Sequence, residues 1–225
     1  MSQNLSKLFK KYSHAVWILY FAIYLPWFFW LNHITPLREN HIYMHCRLDD
    51  FVPFMEIFII PYLLWFAYIA IVYVYLLLYN RQQFIRFCIY LYTGMTFCLI
   101  FYTLVPNGQN LRVDLDALGR DNLLIELVRS IQTTDTPYDV FPSIHCYNSI
   151  VAHIAVMKNE RLKKNPFILW GSFILAVLII LSTVFIKQHS VLDIFGAIAI
   201  AIPFYFIAYK IDWFKPKLKK SASKL

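Results

Sequence analysis

From Pro166 to Phe214 the chain is apolar almost without interruption, and the only polar break is Lys187-Gln188-His189-Ser190. A single straight helix of that length would measure about 70 Å at ~1.5 Å per residue, more than twice the ~30 Å hydrocarbon core of a bilayer. The run must therefore fold back on itself, and the polar tetrad marks the turn. Composition agrees. Hydrophobic residues make up 60% of the chain and charged residues 15%, well away from the roughly 45–50% and 25% of soluble domains. The pattern predicts an all-α polytopic membrane protein. Further spans of about 20 apolar residues fall at 15–32, 52–79 and 84–105. The long run divides into 166–186 and 191–211, and a shorter sixth candidate covers 144–157. The basic opening MSQNLSKLFKKYSHA precedes a long apolar run that lacks a small-residue cleavage site. A retained first span is expected, not a signal peptide.

Six spans place both termini on one side. The N-terminus, the 80–86 loop, the 158–164 loop and the tail from Lys210 carry 15 of the 21 Lys and Arg residues. The positive-inside rule then assigns those segments to the cytoplasm. The expected organisation is a basic cytoplasmic N-terminus at 1–14, a six-span membrane domain at 15–212 and a basic cytoplasmic tail at 213–225. The net charge of +8 follows from this topology and from attraction to anionic headgroups. With no soluble basic domain to carry it, the charge is no nucleic-acid footprint. The longest outer loop, about 106–142, contains an amphipathic segment at 122–132 that reads as an interfacial helix. Cys46, Cys88, Cys98 and Cys146 show neither a CxxC pair nor metal-ligand spacing.

Ionisable residues beside membrane spans are costly and point to function. Here they collect on the outer side in three pieces: PNGQNLR (106–112), PSIH (142–145) and STVFIKQHSVLD (182–193). Together they supply two histidines, a carboxylate, hydroxyls and cations, the inventory of a metal-free phosphoryl-transfer site. Arg112 suits bidentate contact with phosphate oxygens. Ser143 stands at a helix N-cap position after Pro142, where first-turn N–H groups attract an anion. Asp193, four residues after His189, can accept a hydrogen bond from the imidazole and fix its tautomer. This assigns His189 as nucleophile, Asp193 as its orienting carboxylate and His145 as general acid. Ser182 is expected about one turn below the site, although the turn at 187–190 breaks the helical register with His189. His153, deeper in its span, reads as a satisfied core histidine.

The pieces PSIH and Ser182-x6-His189-x3-Asp193, in this order and between apolar spans, resemble the type 2 phosphatidic acid phosphatase superfamily over roughly residues 84–210. The resemblance implies a six-helix membrane fold with an extracytoplasmic site. It also implies phosphate removal or transfer on lipids through a phosphohistidine, with no metal and no cofactor. The acid of Pro-Ser-x-His falls on His145 and the nucleophile on His189. Phosphate-binding roles fall on Arg112, Ser143 and Ser182. Two family cations are missing. Val105 stands where the first motif, Lys-x6-Arg-Pro, has lysine, and Thr183 stands where the third has arginine; Val113 also replaces the proline. Lys187 is the candidate replacement cation. The expected activity is a membrane lipid-phosphate phosphatase with a lipid phosphate as its partner. The alternative is a headgroup phosphotransferase of the inositolphosphorylceramide or sphingomyelin synthase type, whose members also have weakened arginine motifs.

Overall fold

A computed structural model describes residues 11–214 and is predominantly helical. The basic terminal segments lie outside the described residues except for 11–14 and 213–214. The first apolar segment enters as a 3-10 helix, Ser13–Tyr20, and continues as α1, Phe21–Ile34. A short strand β1 (Ile42–Tyr43) and a five-residue helix α2 (Arg47–Phe51) follow. Next come α3 (Ile59–Tyr79), α4 (Arg81–Leu104), β2 (Asn107–Gly108), α5 (Leu123–Thr134), α6 (Ile144–Lys158), α7 (Pro166–Phe185) and α8 (Val191–Lys210).

Five helical segments are long and apolar enough to cross a membrane: Ser13–Leu37, Glu56–Tyr79, Arg81–Leu104, Pro166–Phe185 and Val191–Lys210. They match the five long spans expected from sequence. The sixth expected span, α6, has only 15 residues, about 22 Å at ~1.5 Å per residue. It is the central helix of the bundle and packs against α3, α4, α7 and α8. Burial on nearly every side explains its mixed sequence. Ser149, Ala152 and Ala155 are fully buried and leave room for close helix approach. By contrast Phe66, Ile71, Phe167 and Trp170 on the outer helices α3 and α7 are exposed, as lipid-facing residues should be. At the α4–α6 crossing a Cβ on Gly94 would collide with the Tyr147 ring. Tyr147 in turn hydrogen-bonds the Tyr90 carbonyl.

The chain marks its own helix starts. Asn80, Asn122, Ser143, Asn165 and Ser190 are all N-caps whose side-chain oxygens accept first-turn N–H groups, the preferred role of Asn and Ser. The 122–132 segment forms α5 as predicted, with Ile125 and Val128 buried on its apolar face. The 187–190 tetrad is indeed the α7–α8 turn, with Lys187 at φ 58°.

The loops divide between two ends of the bundle. At one end β1 pairs in parallel with β2, and α2 is tied to the α7–α8 turn. At the other, Gln83 bonds the Lys158 carbonyl and Arg86 bonds the Tyr209 carbonyl. The latter end carries the basic loops, and the former carries every predicted site residue.

Candidate active site

The His189 turn is built by backbone hydrogen bonds. The α7 helix stops at Phe185, and the N–H groups of Gln188 and His189 both donate to the Thr183 carbonyl at 3.0 Å. Ser190 then caps α8, and Asp193 sits at the third helical position. In such a capping box the third residue reaches back to the cap N–H, and Asp193 Oδ2 accepts from Ser190 N at 3.0 Å. The same oxygen lies 3.0 Å from His189 Nδ1. The His-x3-Asp spacing thus follows from where a helix begins. With Nδ1–H directed at the carboxylate, the lone pair rests on Nε2, the tautomer that the hydrogen bonds assign. Nε2 lies 3.3 Å from Ser143 Oγ.

The second wall is the mouth of α6. Ser143 N donates to the Asp193 carbonyl at 3.3 Å, which locks the start of α6 to the first turn of α8. Ser143 Oγ accepts the Cys146 N–H at 3.3 Å, leaving its own proton for Nε2. Ser143 and Asp193 are fully buried, and His189 is nearly so. The His145 ring packs between Tyr62 and Trp65, with centroids at 4.8 and 4.4 Å. Its centroid is 5.6 Å from that of His189. Both histidines line a cavity of about 40 Å³. Ser143, His145, His189 and Asp193, drawn from two segments of sequence, therefore meet at one point.

The remaining predicted residues sit differently. Arg112 does not present a free fork. Its terminal nitrogens donate to the carbonyls of Gln132 and Asp135 at 2.8 and 2.6 Å and to Gln188 Oε1 at 2.6 Å. Only its buried Nε has no partner. The guanidinium thus clamps the end of α5 to the residue before His189. Burial lowers its pKa, against the pull of Asp135.

Lys187, the candidate replacement cation, is tied to α2. Its ammonium donates to the Asp49 carbonyl at 2.9 Å, and burial lowers its pKa. Ser182 is buried and donates to the Ile179 carbonyl at 2.6 Å, the ordinary back-bond of a helical serine. His153 lies 3.1 Å from Ser172 Oγ in the bundle interior, as a satisfied core histidine should.

Several residues of the site region escaped the sequence reading. Asp49 is 2% exposed and accepts from Ser190 Oγ at 2.6 Å, Val191 N at 2.7 Å and Cys46 N at 2.8 Å. Burial raises its pKa, but these hydrogen bonds outweigh it and hold the carboxyl below the usual aspartate range. Asn107 staples the segment leading into α6. Its side chain accepts from Val140 N and Phe141 N and donates to the Val105 carbonyl. Asp135 and Asp139 line the cavity beside the two histidines. Burial raises both carboxyl pKa values, that of Asp139 to about 6. The one sequence hint for Asp49 was its place in an Asp-Asp pair on the outer side. Nothing local marks an aspartate as the partner of a turn 141 residues away.

The family model of the PAP2 superfamily matches residues 122–217, the stretch that holds Ser143, His145, Ser182, His189 and Asp193. No curated protein and no solved structure matches the chain.

Proposed function

We propose that the chain, of which residues 122–217 match the model of the PAP2 superfamily, is a membrane lipid-phosphate phosphatase working through a phosphohistidine on His189. One observation carries the reading: His189 is held by Asp193 at Nδ1 while Nε2 faces Ser143, with the His145 ring 5.6 Å away. Nε2 attacks phosphorus, and the bond from phosphorus to the lipid oxygen breaks. His145 gives that oxygen its proton. Water then attacks the phosphohistidine, passes its proton to His145 and releases phosphate, which restores the enzyme. Asp193 stabilises the imidazolium character that develops on His189. The first-turn N–H groups of Ile144 and His145 have no intrahelical acceptor and favour an anion at the mouth of α6. Arg112 Nε, which has no hydrogen-bond partner, is the cationic donor assigned to the phosphate. No step requires a metal ion.

The orientation in the membrane supports a lipid substrate. The basic loops lie at the end of the bundle opposite the site, so the positive-inside rule turns the site to the extracytoplasmic face. A second reading, transfer of a headgroup to a lipid alcohol in place of water, is favoured by the charge inventory. Val105 and Thr183 leave two family cations absent, and Asp135 and Asp139 face the cavity.

The test is release of phosphate from short-chain phosphatidate by purified protein in detergent, with EDTA present. His189→Ala is expected to abolish release, and phosphate release surviving in that variant refutes the mechanism. A labelled phospholipid mixed with an acceptor alcohol separates the two readings. Labelled product lipid with little free phosphate identifies the transferase.

A further inference from the structure

The two histidines of the site are held by different means. His189 is gripped at both ring nitrogens, by Asp193 at Nδ1 and by Ser143 at Nε2. His145 has no such grip. Among the described residues neither of its ring nitrogens has a hydrogen-bond partner. What fixes the ring is contact with α3. Tyr62 lies nearly parallel to it, with centroids 4.8 Å apart and planes at 29°. Trp65 meets it at 4.4 Å and 49°. Tyr62 and Trp65 stand three residues apart in α3 and so share one face of that helix, and α3 packs directly on α6.

Each of these rings is itself placed with care. Tyr62 is fully buried, and its hydroxyl donates to Asp135 Oδ2 at 3.2 Å. The Asp135 carbonyl accepts in turn from Arg112 at 2.6 Å. The Tyr62 ring is therefore pinned at its face by His145 and at its tip by the end of α5. Trp65 is placed at a cost. Its indole Nε1 is buried with no hydrogen-bond partner, and a stranded donor is destabilising. A leucine would pack there without that cost, so packing by itself does not call for an indole. What the indole adds is a π face. Aromatic faces attract cations within about 6 Å of the centroid through their quadrupoles, and both rings lie inside that range of His145. An imidazolium therefore gains more from this pair than a neutral imidazole does. A general acid must hold its proton before giving it, and this one holds it away from bulk water.

We propose that Tyr62 and Trp65 form an aromatic clamp that aims His145 at the leaving oxygen and favours its protonated form, which makes both of them positioning residues for the acid step. The proposal rests on the reading of His145 as general acid. Both residues lie outside the matched stretch 122–217, so α3 completes the site from elsewhere in the chain. In the step they serve, the bond from phosphorus to the lipid oxygen breaks and its electron pair stays on that oxygen. The oxygen takes the proton of His145, which is left neutral. The clamp therefore matters in proportion to how much the leaving group needs a proton. The alkoxide that leaves phosphatidate needs it. A thiolate, far less basic, leaves without it.

The experiment uses the full chain in detergent and two lipids with the same tail. One is dihexanoyl phosphatidate, and the other is its phosphorothiolate analogue, in which sulfur replaces the oxygen joining phosphorus to glycerol. Enzyme is in excess over lipid, so a single turnover reads release of the leaving group, the first step alone. Tyr62→Leu and Trp65→Leu should each slow release from phosphatidate by about 10-fold or more, part of the ~10²–10⁴ that general acid catalysis contributes. Release from the sulfur analogue should slow by less than about threefold in the same variants, because it does not draw on that contribution. Tyr62→Phe keeps the ring and should stay close to wild type on both lipids. In a His145→Ala background Tyr62→Leu should add less than about twofold, since it acts through that ring. Trp65→Leu removes the stranded N–H and should keep the wild-type Tm, so it carries the test by itself if Tyr62→Leu fails to fold. Equal slowing on both lipids means that the rings only hold the fold, and overturns the proposal. So does wild-type release from phosphatidate in Trp65→Leu, or an effect of Tyr62→Leu that adds in full to that of His145→Ala. Equal losses on both lipids in His145→Ala would remove the acid reading and the clamp with it. His189→Ala that keeps wild-type release removes the phosphohistidine reading alone, because the ratio of the two lipids reads the acid and not the nucleophile. If the wild type releases neither leaving group, the lipid-phosphate reading and the clamp fall together.

Discussion

Asp49 offers the sharpest check on how His189 is held, because it touches neither histidine and lies outside the matched family region. Its two carboxylate oxygens accept three hydrogen bonds, from Ser190 Oγ, Val191 N and Cys46 N, all within 2.8 Å. All three donors belong to elements that frame the site. Ser190 and Val191 start α8 directly after His189, and Cys46 caps α2. Hydrogen bonds to a charged group contribute roughly 1.5–3 kcal/mol each, and a buried donor left unsatisfied costs about 1–3 kcal/mol. Asp49→Ala removes both acceptor oxygens and so all three hydrogen bonds. Ser190 Oγ can turn to another acceptor, so two stranded N–H groups dominate the loss, on the order of 4 kcal/mol by the same magnitudes. Asp49→Asn keeps the shape and one acceptor oxygen, and should cost roughly half as much. Both variants loosen the turn that aims His189 Nε2. A misplacement of about 1 Å at a reacting group can cost about 10²-fold in rate. The expected pattern is a lower Tm in detergent with kcat reduced at least 10-fold in Asp49→Ala, Asp49→Asn in between, and KM little changed. The folded-state pKa of Asp49 is depressed below the ordinary 3.8. Its stabilisation is therefore complete above that value and is lost as the pH falls through the folded pKa. Asp49→Ala should lose less stability than wild type as the pH falls below 3.8. An alanine variant with wild-type Tm and wild-type kcat would refute the reasoning, since the three hydrogen bonds would then be doing nothing for the turn.

Further outcomes can be measured independently. Asp193→Asn should lower kcat by about 10²–10⁴-fold, in line with loss of the orienting carboxylate of a triad; single-turnover kinetics read the step directly. Gly94→Ala should destabilise the bundle by about 1–3 kcal/mol through overpacking against Tyr147, and a Tm equal to wild type counts against the packing at the α4–α6 crossing. The Asp139 carboxyl, with its pKa raised to about 6, binds a proton more tightly folded than unfolded. Stability should therefore fall as pH rises from about 4 to 6, and Asp139→Asn should remove that component from a denaturation series across this window.

The long segments were legible because their cause is local. Twenty apolar residues in a row have few alternatives to a membrane-crossing helix, and a 49-residue run broken only at Lys187–Ser190 has one place to turn. The central helix was legible as a helix from Pro142-Ser143, an N-cap by residue type. Its rank as the packed centre of the bundle was not, since that depends on four neighbours. The placement of three candidate site residues was readable for a similar reason. His189 and Asp193 are coupled by the geometry of a single helix start, and Ser143 caps another. The bonds of Arg112 and Lys187 were not readable because a long cation has many rotamers. What it bonds is settled by carbonyls that other segments bring within reach: Gln132 and Asp135 for one, Asp49 for the other.

The sequence by itself determined that this is a helical membrane protein, where its chain turns, and which two histidines stand at helix mouths on one side. Those features depend on hydropathy, capping and spacing within about 20 residues. Only the tertiary structure decided that the two mouths meet, that Asp49 braces the His189 turn from 141 residues away, and that Asp135 and Asp139 rather than lysines face the histidines. Such pairings are fixed when helices pack and polar groups buried at their ends must find partners across the bundle, a requirement that no local stretch of sequence records.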